Sequence, residues 1–298
     1  MFPRSTPRML RITCLVLAGQ LGPCGPAAHA ASPAPVAAEQ GMVVTAQHLA
    51  TRIGVQVLAD GGNAVDAAVA VGYALAVVYP AAGNLGGGGF MTLQRADGRK
   101  TFIDFREQAP LAATRDMYLD AEGQTIPGAS TLGHRAVAVP GSVAGLELAL
   151  ARHGTQPRAA LIAPALRLAE QGFVLQQGDV DILSTAVDGL RRDAPSAAIF
   201  LRDGALPAAG DLLVQKDLAR TLRHISEQGA AGFYQGPVAA AIVASSRAGG
   251  GCAASGSGSD SGGRRQAGGA PRGVPIAASM FCACTRPCSA AAANRCAA

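Results

Sequence analysis

After a short strand-like start, apolar positions along this chain recur at helical spacing, then switch to strand spacing, then return to helical. Met42-Val43-Val44-Thr45 reads as a short strand. Leu49, Ile53, Val57 and Leu58 then fall on one helical face, and Gly61-Gly62 stops that helix. Asn63 follows as an N-cap, with Asp66 three residues on in a capping-box position. The segment they open, from Ala64 to Val78, is apolar nearly all round. That pattern predicts a buried helix and not an amphipathic one, ended by Pro80. Two β-type segments come next, one starting at Phe90 and one ending at Arg106, joined by a turn at Ala96-Asp97-Gly98. Beyond them Pro140-Gly141-Ser142 opens a helix through Leu146, Leu148 and Leu150 to Gly154. Further helices are predicted over 159–172, 179–190, 211–228 and 237–247. Few strands beyond these three are evident, so the pattern predicts an α-rich α/β domain.

The switch to strand spacing is preceded by four consecutive glycines, Gly86 to Gly89. Without Cβ atoms, such a run lets another backbone or a small ligand come close, at a cost in chain entropy. A phosphate cradle is one use of such a loop. A Walker loop, however, needs Lys and then Ser or Thr after the last glycine, where this chain has Phe90 and Met91. The dinucleotide fingerprint needs G-x-G-x-x-G opening a helix, and neither feature is present. Gly141-Ser142-Val143-Ala144-Gly145 has its serine one place away from the centre of a hydrolase elbow, so Ser142 is expected to help open the helix instead. His48, His134, His153 and His224 make no metal-binding spacing, and Cys282, Cys284 and Cys288 lack CxxC spacing, so no metal or cofactor is expected.

Arg106 is the candidate binding residue. It follows the alternation Phe102-Ile103-Asp104-Phe105 and stands one hairpin away from the glycine run. A guanidinium fork suits bidentate capture of a carboxylate. The competing reading is a solvated strand-end arginine paired with Glu107 or Asp104.

Charge and composition divide the chain. The net charge is +5, with an isoelectric point near 9.0. Residues 1–30 carry +3 and residues 252–298 carry +4, which leaves −2 for the body between them. That body has no basic nucleic-acid footprint, so no nucleic-acid partner is expected. Arg4, Arg8 and Arg11, the apolar run 12–18 and Ala28-His29-Ala30 make a secretory signal peptide over 1–30, too short in its apolar part to remain as a membrane anchor. The mature chain is therefore expected to be exported, periplasmic or secreted, and not membrane-bound. Residues 31–40 read as a Pro/Ala linker, and 41–251 as the folded part. The body has no cysteine, which excludes thiol catalysis and a disulfide framework there. From Cys252 onward Leu, Glu, Lys, His and Tyr are absent. The tail 252–298 is expected to be either disordered or the out-of-frame translation of a GC-rich gene, a reading in line with a body that holds only Lys100 and Lys216 as lysines.

Four segments together resemble γ-glutamyltransferases (glutathione hydrolases). They are Gly61-Gly62-Asn63-Ala64-Val65-Asp66-Ala67-Ala68, Gly86-Gly87-Gly88-Gly89-Phe90-Met91, Phe105-Arg106-Glu107-Gln108-Ala109-Pro110 and Val139-Pro140-Gly141-Ser142-Val143-Ala144-Gly145. The resemblance covers roughly 41–251 and implies an N-terminal-nucleophile hydrolase with a stacked α/β/β/α fold, incomplete in this chain. It implies a proenzyme that cleaves itself into two subunits, and a threonine nucleophile at the new N-terminus of the small one. By the same resemblance Arg106 binds the α-carboxylate of the γ-glutamyl group, glutathione is the substrate class, and the glycine run packs beside the site. The family's processing-site threonine pair has no counterpart, since the body's threonines stand singly and Thr285 lies among the tail's cysteines. No catalytic residue is therefore assigned, the small subunit is expected to be missing, and the chain alone is expected to be inactive. A non-catalytic secreted module that binds amino-acid carboxylates through Arg106 is the alternative.

Overall fold

The computed structural model describes residues 37–252. The leader, most of the linker and the tail lie outside the described residues. The chain divides at Gly41 into two units, 1–40 and 41–298. Of the first, the described residues 37–40 contain neither helix nor strand.

The second unit is built around one buried helix. α1 (His48–Ala59) leads through Gly61-Gly62 into α2 (Ala64–Val78), and α1, α3 (Ser142–His153) and α4 (Arg158–Gln171) pack against α2. Val69, Ala70, Tyr73, Ala74, Val77 and Val78 have no exposed surface. The all-round apolar sequence is thus satisfied by neighbours on several sides, and each fully buried Val or Tyr side chain contributes about 1.5–3 kcal/mol. The N-terminus of α2 has the predicted capping box. Asn63 Oδ1 accepts from the amides of Val65 (2.8 Å) and Asp66 (3.0 Å), and Asp66 Oδ2 accepts from the Asn63 amide at 2.8 Å.

The same two side chains reach across the fold. Asn63 Nδ2 donates to the His153 carbonyl at 2.8 Å. The Asp66 carboxylate accepts from the Thr155 amide (2.8 Å), the Thr155 hydroxyl (2.6 Å) and the Gln156 amide (3.1 Å). At the other end Gln215 Nε2 donates to the Val77 carbonyl at 2.8 Å, which satisfies a last-turn acceptor inside the core. Midway, Tyr73 donates its hydroxyl to Glu147 Oε1 (3.0 Å), and Arg158 Nε donates to Glu147 Oε2 (2.5 Å). Burial, with the Glu147 charge second, pushes the Tyr73 hydroxyl well above its ordinary pKa.

Between α2 and α3 lies the hairpin of β1 (Phe90–Gln94) and β2 (Lys100–Asp104). It is antiparallel, with Phe90 opposite Asp104 and Thr92 opposite Phe102. Met91, Leu93 and Ile103 face the core, while Phe90, Thr92, Phe102 and Asp104 are exposed. Residues His134–Ala136 form a 3₁₀ turn before α3. After α4 come β3 (Phe173–Val174), α5 (Gln177–Ser184), α6 (Val187–Arg191), α7 (Ala194–Phe200), β4 (Leu212–Leu213), α8 (Lys216–Gln228), α9 (Ala231–Tyr234) and α10 (Gly236–Ala248). β3 and β4 pair antiparallel, Phe173 opposite Leu213.

Three expectations are corrected. Met42–Thr45 forms no strand: Met42 and Val44 are exposed, and no strand among the described residues offers it a ladder. The span 179–190 is two helices broken at Thr185-Ala186, and the helix expected over 211–228 begins only at Lys216, because Leu212–Leu213 pairs with β3. The short helices α7 and α9 were not predicted. α7 nevertheless carries a readable start, Asp193 accepting from the Ser196 amide with proline in the first turn. No helix among the described residues is long and apolar enough to cross a membrane.

Candidate functional site

The last two glycines of the run, Gly88 and Gly89, admit residues 105–107 at close range. A Cβ on Gly88 would stand 2.5 Å from the Phe105 carbonyl oxygen and 2.8 Å from the Glu107 nitrogen, and one on Gly89 3.0 Å from the Phe105 ring. Gly89 and Phe105 exchange backbone hydrogen bonds (3.3 and 3.0 Å), which carries the hairpin ladder one pair past β1 and β2. From the opposite side come Gly141 and Gly145 at the start of α3. A Cβ on Gly141 would overlap the Phe105 carbonyl, and one on Gly145 the Phe105 ring. The Gly87 carbonyl accepts from both the Gly141 (2.8 Å) and Ser142 (2.9 Å) amides, and Gln108 and Val139 pair in an isolated bridge. Segment 105–108 is therefore clamped between two glycine-lined surfaces. Gly141, not Ser142, is the N-cap of α3; Ser142 is its buried first residue and makes no side-chain cap.

Arg106 projects from that clamp. Its backbone amide donates to Asp104 Oδ1 at 2.9 Å, and its Nε donates to Glu107 Oε2 at 2.8 Å. The Arg106 side chain is 55% exposed and that of Glu107 10%. The guanidinium carbon lies 5.7 Å over the centroid of the Phe90 ring, and Phe90 stacks on Phe102 with centroids 5.5 Å apart. Both carboxylates of the competing sequence reading are thus engaged, yet they take only the amide and Nε. The two terminal nitrogens have no hydrogen-bonding partner among the described residues, which leaves them able to bind a carboxylate as a fork. The phosphate-cradle reading fails on geometry as well. The last amide of the run, that of Gly89, donates to the Phe105 carbonyl at 3.3 Å and so is not directed at an open space.

The other candidate side chains are not brought together. His134 Nε2 lies 3.3 Å from Ser245 Oγ, His153 Nε2 is buried, and no group of three His, Cys, Asp or Glu that could hold a metal ion occurs among the described residues. Two hollows, of about 270 and 380 Å³, share His48 and Gln176, and neither is lined by Arg106 or the glycine run. The Phe90–Phe102 stack under Arg106 was missed in the sequence. Its signal was present as parity, since Phe102, Asp104 and Arg106 alternate with the inward Ile103 and Phe105.

The chain is similar to known proteins. The model of the gamma-glutamyltranspeptidase family matches residues 50–255. The chain is 65% identical over 212 residues to the glutathione hydrolase proenzyme of Pseudomonas sp. (strain A14), which covers 71% of this chain and 37% of that relative. To the glutathione hydrolase proenzyme of Escherichia coli (strain K12) it is 49% identical over 206 residues, covering 69% and 36%. Among solved structures, Helicobacter pylori gamma-glutamyltranspeptidase matches with a TM-score of 0.71 at 45% identity, over 73% of this chain and 63% of that one. The chain spans a little over a third of the length of these curated relatives. Its mixed helix and strand are an incomplete share of the N-terminal-nucleophile hydrolase fold expected from the sequence. The chain belongs to the gamma-glutamyltranspeptidase family.

Proposed function

We propose that residues 41–251 are part of the large subunit of an exported γ-glutamyltransferase (glutathione hydrolase) proenzyme, with 1–30 as its signal peptide and 252–298 as a tail foreign to that subunit. The reaction in question transfers a γ-glutamyl group from glutathione or a related peptide to water or an amino-acid acceptor. A threonine outside this chain's matched segment attacks the γ-carbonyl, its own α-amine takes the proton, and the acyl-enzyme then passes to the acceptor. In that reaction Arg106 holds the α-carboxylate of the glutamyl group, which fixes the distance from the carboxylate to the reacting carbonyl. The observation that carries this reading is the clamped, outward-facing Arg106 with Nε bound by Glu107 and its terminal nitrogens unengaged. The module reading is not favoured, because the family match runs through all of 50–255 and not through the arginine segment alone.

Two measurements on the 298-residue chain test it. L-Glutamate titrated into the chain and followed by NMR should bind with a dissociation constant on the order of 1 mM. Arg106→Ala should weaken that binding about tenfold or more, and Arg106→Lys should not restore it, because an ammonium cannot form the planar fork. Hydrolysis of γ-glutamyl-p-nitroanilide by the chain alone should be undetectable. Clear turnover, or glutamate binding indifferent to Arg106→Ala, would overturn the reading.

A further inference from the structure

We propose that Phe90, backed by Phe102, is a positioning residue that sets the plane of the Arg106 guanidinium for carboxylate capture. The inference rests on the reading of Arg106 as the carboxylate-binding group.

The hairpin's alternation creates the arrangement. Register places Phe90 opposite Asp104 and Phe102 opposite Thr92, so the two rings are diagonal neighbours on the outward face. Phe90 is 54% exposed and Phe102 61%, which is unusual for two large apolar side chains that the inward face of the same hairpin could have used. Their stack is offset, with planes 21° apart and centroids 5.5 Å apart, an arrangement aromatic quadrupoles favour. Arg106 continues the same parity past the end of β2, and its guanidinium carbon lies over the Phe90 ring at 5.7 Å. A ring face at that distance attracts a cation through its quadrupole. The phenyl ring also offers no hydrogen bond, so it holds the guanidinium without occupying a donor.

Two different contacts therefore act on one side chain. Glu107 fixes the Nε edge, and the Phe90 ring face lies beneath the guanidinium carbon. Together they remove side-chain freedom that a long arginine would otherwise lose on binding, and they leave the terminal nitrogens for the ligand. The competing account of the rings is that they only await cover by further polypeptide. In that account Phe90 has no influence on Arg106.

The two accounts differ in the 298-residue chain itself. Phe90→Leu removes the quadrupole and keeps an apolar residue at an exposed position, while Phe90→Tyr keeps the ring. The Arg106 Nε–H resonance, assigned by its loss in Arg106→Lys, reports the ring current of Phe90 directly. Phe90→Leu should shift that resonance and weaken L-glutamate binding about two- to fivefold, and Phe90→Tyr should leave both near the wild-type values. An unchanged affinity in Phe90→Leu, with Arg106→Ala abolishing binding, would overturn the positioning role and keep the carboxylate reading. Binding unaffected by Arg106→Ala would instead overturn the carboxylate reading, and with it the role in carboxylate capture. If Phe90→Leu does not fold, Phe90→Met supplies the same comparison.

Discussion

Gly141→Ala is expected to destabilise the folded chain by about 3 kcal/mol or more and to displace Arg106. The reason is space and not backbone strain, since Gly141 has φ −114° and ψ −18°, which alanine adopts readily. The added Cβ would overlap the carbonyl oxygen of Phe105, a backbone atom that cannot rotate away. Moving Phe105 breaks its exchanged hydrogen bonds with Gly89, and moving the start of α3 breaks the two bonds to the Gly87 carbonyl. Gly178→Ala is the matched control. Its Cβ would meet nothing within 4 Å, and the site is the second residue of α5, so that change should leave stability unchanged or raise it by up to about 0.5 kcal/mol. Urea unfolding of both variants checks the pair. A Gly141→Ala midpoint matching wild type would show that the two glycine-lined surfaces are not in contact through Phe105.

Asp66→Asn is expected to cost about 2–4 kcal/mol. Asp66 has no exposed surface, and each of its oxygens accepts from two donors: Oδ2 from the Asn63 amide and the Thr155 hydroxyl, Oδ1 from the amides of Thr155 and Gln156. An asparagine in either orientation turns one of those oxygens into a donor facing donors. Burial alone would raise the Asp66 pKa, but the Thr155 hydroxyl and the Asn63, Thr155 and Gln156 amides outweigh it, so the carboxyl is held below its ordinary 3.8. A lowered pKa in the folded state gives stability that is fully present above 3.8 and lost as pH falls through the folded value. The wild-type urea midpoint should therefore drop as pH falls below about 4, and Asp66→Asn should lack that part of the drop. A variant with the full wild-type acid dependence would show that other carboxylates carry it.

The features legible in the sequence are those fixed by neighbours a few residues away. Asn63 and Asp66 signalled the start of α2 because a capping box is a local contact, and Asp97-Gly98 signalled the hairpin turn for the same reason. Met42–Thr45 and Leu212–Leu213 went the wrong way in opposite directions. Each has an apolar pattern compatible with a strand, and the choice fell to a partner: Phe173–Val174 supplies one to Leu212–Leu213, and none among the described residues supplies one to Met42–Thr45. The site divides in the same manner. Arg106 was visible from its place at a strand end, and the glycine run from its composition. The convergence of Gly88, Gly141 and Gly145 on Phe105 was not, because it joins segments far apart in the chain whose spacing carries no periodic signal.

The ties from Asn63 and Asp66 to residues 153–156 span about ninety positions, and they have a consequence for amide exchange. They close a long loop at its base, and within that loop lies the hairpin, a two-stranded ribbon with one solvated face. With its base pinned, the ribbon from Phe90 to Asp104 is expected to open and close while α2 stays in place. Its amides should exchange with deuterium through such a partial opening, and those of α2 only through loss of the whole fold. The ribbon of β1 and β2 is in this sense a separate cooperative unit, mounted on a core and on a clamp around Phe105 that do not have to loosen when it moves.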